Sequence, residues 1–278
     1  MFEAKLASAA LLKKIVEAIK DLVTDAPFDC TENAVCLQAM DSSHVALVSL
    51  NLASSLFETY RCDRTINLGM SFANMAKALK CANNEDTCML RYDEDDKIVF
   101  SFEDTKRGKT QEVTVRMMDI DNEHLGIPEQ DYSAVVTMPS VDFQKTCRDL
   151  AMFSDSIMIT VTKAGVEFTG KGETGSTVVN YAPTGTVDDE NQEFSFMFER
   201  FTLLQSVLLT VNEPVNVNFS IKYMNHFAKA TSLSNKVKLS MSNELPIVVE
   251  YPIDEDSTSY LRFFLAPKIQ EDEDGMNE

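Results

Sequence analysis

The sequence has little of what metal or nucleophilic chemistry requires. Its only histidines are His44, His124 and His226, and none lies in a recognisable nucleophile or zinc-ligand context. Six cysteines fall at 30, 36, 62, 81, 88 and 147; five residues separate Cys30 from Cys36 and six separate Cys81 from Cys88, so zinc spacing is missing. HExxH does not occur, and carboxylate pairs such as Asp254 and Asp256 fall in polar turns, where they read as solvated. No apolar run approaches a membrane span. The N-terminal MFEAKLASAALLKKIVEAIK lacks an uninterrupted apolar core and a small-residue cleavage pattern, so a signal peptide is not expected. The cysteines then read as buried, reduced thiols of a cytosolic or nuclear protein. These absences leave no metal site, no cofactor and no enzyme to expect.

Positive charge is also scarce. Twenty-five Lys and Arg stand against 44 Asp and Glu, a formal net charge of −19. An excess of that sign repels phosphate at long range, so where the basic residues sit matters more than how many there are.

What is present begins with a connector. Met118 to Tyr132, MDIDNEHLGIPEQDY, carries five acids, Gly126 and Pro128, and reads as an extended linker. At about 3.3 Å per residue it could span roughly 50 Å, enough to cross a domain face. A chain of 278 residues is long enough for two domains, and the pattern on either side of the linker repeats. In the first half a strand at 2–6 precedes a helix over Ala9 to Val23, in which Leu12, Ile15, Val16 and Ile19 share one arc. Strands follow at 34–40, 44–50, 58–62 and 66–70, a second helix spans Phe72 to Lys80, and strands at 88–92, 97–103 and 111–117 close the half. The second half offers a strand at 133–138, a helix over Val141 to Leu150, and strands at 157–162, 165–169, 176–181 and 215–221. A helix over Lys222 to Ala230 and strands at 236–241, 246–251 and 261–265 complete it.

The spacing thus predicts an α+β fold made of two similar domains, 1–117 and 133–269, joined by the connector 118–132 and followed by an acidic, disordered tail at 270–278. Each predicted helix sets at least two basic residues opposite its apolar face. One such face would be ordinary solvation; four in an acidic chain give a sided field suited to a polyanion.

One nucleotide motif needs weighing. Gly170-Lys171-Gly172-Glu173-Thr174-Gly175 matches G-x-G-x-x-G, but STVVNY follows where a phosphate-binding helix would be needed, so it reads as a glycine-rich turn.

Several blocks carry a resemblance: MFEAKL, LLKKIVEAIKDL, LQAMDSSHVALVSL, FETYRCDR, MAKALKCANNED, LGIPEQDY, CRDL, LSMSNELPIVVEY and LAPKI. Together they resemble the proliferating cell nuclear antigen family of eukaryotic sliding clamps, over nearly the whole chain. The resemblance implies a homotrimeric ring of six similar domains around duplex DNA, held without sequence readout. It implies a nuclear protein that serves replication, mismatch repair and translesion synthesis. The implied partners are replicative and translesion polymerases, the clamp loader, flap endonuclease, DNA ligase and other short-motif proteins.

Carried onto this sequence, the DNA-facing residues are Lys13, Lys14, Lys20, Lys77, Lys80, Lys145, Arg148, Lys222 and Lys229. The implied partner pocket draws on Met40, His44, Val45, Leu47, Leu125, Ile127, Pro128, Pro246, Tyr251, Phe264, Ala266 and Pro267. Phe264 stands where the family commonly has Tyr, which keeps the ring and removes a hydroxyl. The implied subunit contact uses the strands containing Val113, Val115, Val178 and Tyr181, and Lys163 matches the ubiquitin and SUMO acceptor. The alternatives are a checkpoint-type clamp subunit that forms only heterotrimers, and an enzyme using the Gly170–Gly175 turn.

One stretch departs from the family. Between Asp188 and Asn212 the chain is about a dozen residues longer than the pattern, a length that loops tolerate at small entropic cost. FSFMFERFTLL, residues 194–204, is too apolar for a surface loop and reads as a retained intron or gene-model error, ahead of an extra packed strand or partner surface.

Overall fold

The computed structural model describes residues 1–93, 96–120, 125–126, 130–184 and 206–268. The apolar insertion at 194–204, the tail at 270–278 and the expected pocket residues Ile127 and Pro128 lie outside the described residues.

The same series of elements occurs twice. In the first copy β1 (Phe2–Leu6) leads to α1 (Ala9–Ile19), then β2 (Asp25–Cys30), β3 (Ala34–Met40), β4 (Ala46–Ala53), β5 (Thr59–Cys62) and β6 (Ile66–Ser71). After α2 (Phe72–Leu79) come β7 (Thr87–Tyr92), β8 (Lys97–Asp104) and β9 (Lys109–Arg116). The second copy runs β10 (Ala134–Pro139), α3 (Ser140–Leu150), β11 (Ser156–Thr162), β12 (Gly165–Gly172), β13 (Gly175–Tyr181), β14 (Leu208–Val211) and β15 (Val215–Ser220). It ends with α4 (Ile221–Phe227), a 3₁₀ turn (Ala228–Ser232), β16 (Lys236–Met241), β17 (Ile247–Pro252) and β18 (Tyr260–Leu265).

The chain divides into two compact units, residues 1–129 with 232–234 and 250–263, and the remainder. In the first, one sheet has the order β5-β1-β7-β8-β9 and another the order β6-β2-β3-β4, beyond which β18 stands next to β4. In the second, β14-β10-β16-β17 repeats the order of β5-β1-β7-β8, and β13-β12-β11-β15 repeats β4-β3-β2-β6. The equivalence extends to how each copy ends. Met118 N–H donates to the Gly69 carbonyl at 2.9 Å on β6, and Lys268 N–H donates to the Asn218 carbonyl at 2.8 Å on the equivalent β15.

Helical periodicity decides what is buried. On α1, Leu12, Ile15, Val16 and Ile19 are buried, and Phe72, Met75 and Leu79 do the same for α2, which packs against it. On α3, Phe143, Cys147 and Leu150 face inward, as do Ile221, Met224 and Phe227 on α4. Strands alternate: Ile157, Ile159 and Val161 of β11 are fully buried while the residues between them are not. Cys30, Cys88 and Cys147 are buried free thiols, Cys36 and Cys62 are half-buried and Cys81 is exposed. Burial pushes the Cys88 thiol up to about 12, which keeps it protonated and unreactive.

Candidate functional site

The basic residues sort by exposure. Lys14, Lys77, Lys80, Lys145, Arg148, Lys222 and Lys229 are exposed, opposite or just beyond the buried stripes of their helices, whereas Lys13 and Lys20 are half-buried. Those last two are bound to protein: Lys13 Nζ donates to the Ala82 carbonyl at 2.7 Å and to Asn84 Oδ1 at 3.1 Å, and Lys20 pairs with Glu17 at 2.7 Å. The Glu17 hydrogen bond raises Lys20 above the usual ammonium range. Lys229 lies in the 3₁₀ turn after α4, where the periodicity predicts a continuing α-helix. Each unit therefore presents an apolar helix pair to its own sheets and cations on the opposite side, an arrangement that can hold phosphate oxygens without reading bases.

The pocket residues of the first unit gather on the β3–β4 hairpin. Asp41, 5% exposed, accepts from the N–H groups of Ser43 (3.1 Å), Val45 (2.8 Å) and Ala46 (2.8 Å). These bonds fold the turn tightly enough that His44 takes a left-handed φ of 56°, uncommon for a non-glycine residue. Met40 and Val45 are left exposed at 37% and 40%, and Leu125 at 39%, while Leu47 is nearly covered. Tyr251 is fully buried, its ring edge-on to Phe263 at 6.4 Å, so it belongs to the core and not to an exposed surface. In the second unit Pro246 and Ala266 are exposed and Phe264 and Pro267 half-buried. Sequence reasoning missed Asp41; a carboxylate opening a Ser-Ser-His turn between two strands was the available signal.

The two strands expected at a subunit contact, β9 and β13, each end a sheet. Val178 is 51% exposed; Tyr181 is half-buried and its hydroxyl lies 2.9 Å from that of Thr146. Val113 is half-buried, and Val115, 7% exposed, is packed within its own unit. Lys163 is exposed in the two-residue turn between β11 and β12, where Thr162 pairs with Gly165.

The Gly170–Gly175 run is the end of the β12–β13 hairpin, with Gly172 paired to Gly175 and no helix after it. Its glycines make room for the end of α3. A Cβ on Gly172 would lie 1.7 Å from the Phe153 carbonyl oxygen, one on Gly175 3.4 Å from the Phe153 ring, and one on Gly170 3.3 Å from Leu150. Packing accounts for the motif.

The family model described as proliferating cell nuclear antigen, N-terminal domain, matches residues 1–124, and its C-terminal-domain counterpart matches residues 126–268. The proliferating cell nuclear antigen of Caenorhabditis elegans is 66% identical over 275 residues, covering 98% of this chain and 99% of that protein. The doubled fold and the paired family matches agree: this chain belongs to the proliferating cell nuclear antigen family, the DNA sliding clamps that act as polymerase processivity factors and are not enzymes.

Proposed function

We propose that three copies of this chain close into a ring by pairing β9 of each with β13 of the next, and that the exposed cations of the four helices face the duplex inside. The observation that carries the reading is the strand order. β18, the last strand of the second copy, stands beside β4; β9 is its equivalent in the first copy, and β13 is the equivalent of β4. The pairing β18 makes with β4 is therefore the template for the one that β9 and β13, both at sheet ends, have yet to make. A contact between two different surfaces, repeated from chain to chain, closes a ring when the rotation allows. Topology then retains the DNA, and labile phosphate contacts let the ring slide.

Partners carrying a short motif with two aromatics would dock on the exposed Met40, His44, Val45 and Leu125 of the first unit. A replication factor of this kind works in the nucleus. Lys163, exposed at a turn tip, fits a ubiquitin or SUMO acceptor; a modified band that persists in Lys163→Arg would remove that assignment.

The test is processive synthesis on a primed template with clamp loader. Replacing Lys77, Arg148 and Lys222 with Ala should shorten tracts several-fold while light scattering still reports a trimer. Unchanged tracts would refute the role of these cations. A wild-type chain that stays monomeric at micromolar concentration would refute the ring and favour a heterotrimer subunit.

A further inference from the structure

Lys13 is held by a loop distant in sequence. Its ammonium group is half-buried and donates two hydrogen bonds to the loop that leaves α2, one to the Ala82 carbonyl and one to Asn84 Oδ1. That loop is fastened to the start of α1 by further bonds. Ser8 Oγ donates to the Asn84 carbonyl at 2.5 Å, and the N–H groups of Ala9 and Ala10 donate to the carbonyls of Asp86 (2.8 Å) and Asn84 (3.3 Å). Within the loop, Asn83 N–H donates to Asp86 Oδ2 at 2.7 Å.

The second copy of the fold makes the same joint with different chemistry. Helices α1 and α3 are both eleven residues long, and Lys13 and Gln144 are each the fifth residue. Gln144 Nε2 donates at 2.9 Å to the carbonyl of Ala228, the residue that follows α4. The first residues correspond as well: Ala9 N–H donates to Asp86 ahead of β7, and Ser140 N–H donates to Asn235 ahead of β16, at 3.0 Å. A neutral amide therefore does in one unit what the ammonium does in the other, and the longer lysine reaches further along its loop. What the position requires is a donor, not a charge.

We infer that Lys13 is a positioning residue, a strut that fixes the 82–86 loop on α1, and that it does not contact DNA phosphate. The loop follows directly on the α2 end that carries Lys77 and Lys80, so the strut helps hold those two exposed cations in place. Half of the test rests on the sliding-clamp reading and half does not.

The independent half is amide exchange of residues 82–86 in the full-length protein. Lys13→Met removes both hydrogen bonds and should speed exchange there at least roughly fivefold to tenfold. Lys13→Gln, which copies the second unit, should restore at least some of the protection. Unchanged exchange in Lys13→Met would overturn the strut. The dependent half is the salt dependence of affinity for a short duplex. Lys80→Met should lower the slope of log K against log salt by about 0.9 for each phosphate that Lys80 neutralises. Lys13→Gln should keep the wild-type slope, and a slope reduced as in Lys80→Met would overturn the assignment. If the wild-type chain held no duplex at any salt, the clamp reading would fail, while the exchange result would still decide for or against the strut.

Discussion

The β3–β4 and β12–β13 hairpins occupy the same place in the two copies of the fold, yet they turn by different means. The first uses a buried carboxylate: Asp41 gathers three N–H groups and leaves Met40 and Val45 exposed. The second uses missing side chains: Gly170, Gly172 and Gly175 let the strand ends lie against Leu150 and Phe153 at the end of α3. One hairpin uses its polar group to hold an apolar surface out to solvent; the other gives up side chains to pack inward. The strand order is the same in both copies, and at this one turn the first copy leaves apolar side chains in solvent while the second packs against its own unit.

The sharpest way to break this comparison is Gly172→Val. The new Cβ would overlap the Phe153 carbonyl, so the α3–β11 turn or the hairpin must move, at a cost of roughly 4 kcal/mol or more. Urea unfolding should show the loss in the second unit, with peptides of the first unit keeping their exchange protection. Gly170→Ala, which meets only side-chain atoms at 3.3 Å, should cost far less. Equal stability of Gly172→Val and wild type would mean that the glycines are there for some purpose other than close packing.

The same contrast shows what could be read from the residues alone. The repeat, the helices and their basic faces were legible because a 3.6-residue period marks burial directly. Helix ends were not: Val23 is buried at 5% and so continues the α1 pattern, yet the helix stops at Ile19 and Val23 N–H closes a turn onto the Ile19 carbonyl. Strand β2 was missed because Pro27 reads as a break. Its pairing with β3 begins only at Phe28, so no β3 carbonyl waits for the N–H that Pro27 lacks. Strand β14 is four residues long and abuts an apolar run that hides its boundary. For the surfaces, charge and exposure could be anticipated. The tie of Lys20 to Glu17 lies within a local i,i+3 spacing, whereas that of Lys13 depends on the approach of a loop distant in sequence, at Asn84, and no local pattern carries that information.

A smaller effect is expected on the other hairpin. Asp41→Ala leaves three N–H groups without their acceptor; that of Ala46 is buried, while those of the exposed Ser43 and Val45 can turn to water, so the loss is roughly 1–3 kcal/mol. His44 would then relax from its left-handed backbone, so affinity for a short aromatic-motif peptide, measured by calorimetry, should fall along with stability. Adding His44→Gly, which tolerates positive φ, should recover stability but not the affinity supplied by the imidazole. Peptide binding untouched in Asp41→Ala would separate this hairpin from partner docking.

The smallest effect is expected where the two copies differ most in length. The link from β4 to β5 is residues 54–58, and the equivalent link from β13 to β14 is residues 182–207. The long link is closed at its base. Thr184 N–H donates to the Val207 carbonyl at 3.0 Å, and Val207 N–H donates to Thr184 Oγ1 at 2.8 Å, so the chain leaves and re-enters the unit at one point. Removing residues 186–205 would leave Gly185 and Ser206 between two residues already bonded to each other, the span of an ordinary β-turn. Shortening a closed loop changes its closure entropy by only about 1 kcal/mol, so the melting temperature should shift by a few degrees at most. The trimer expected of wild type should persist, because β13 keeps its pairing with β12. If the shortened chain unfolds or fails to trimerise, residues 186–205 contribute to the second unit's stability, and the two copies differ in their core as well as in their loops.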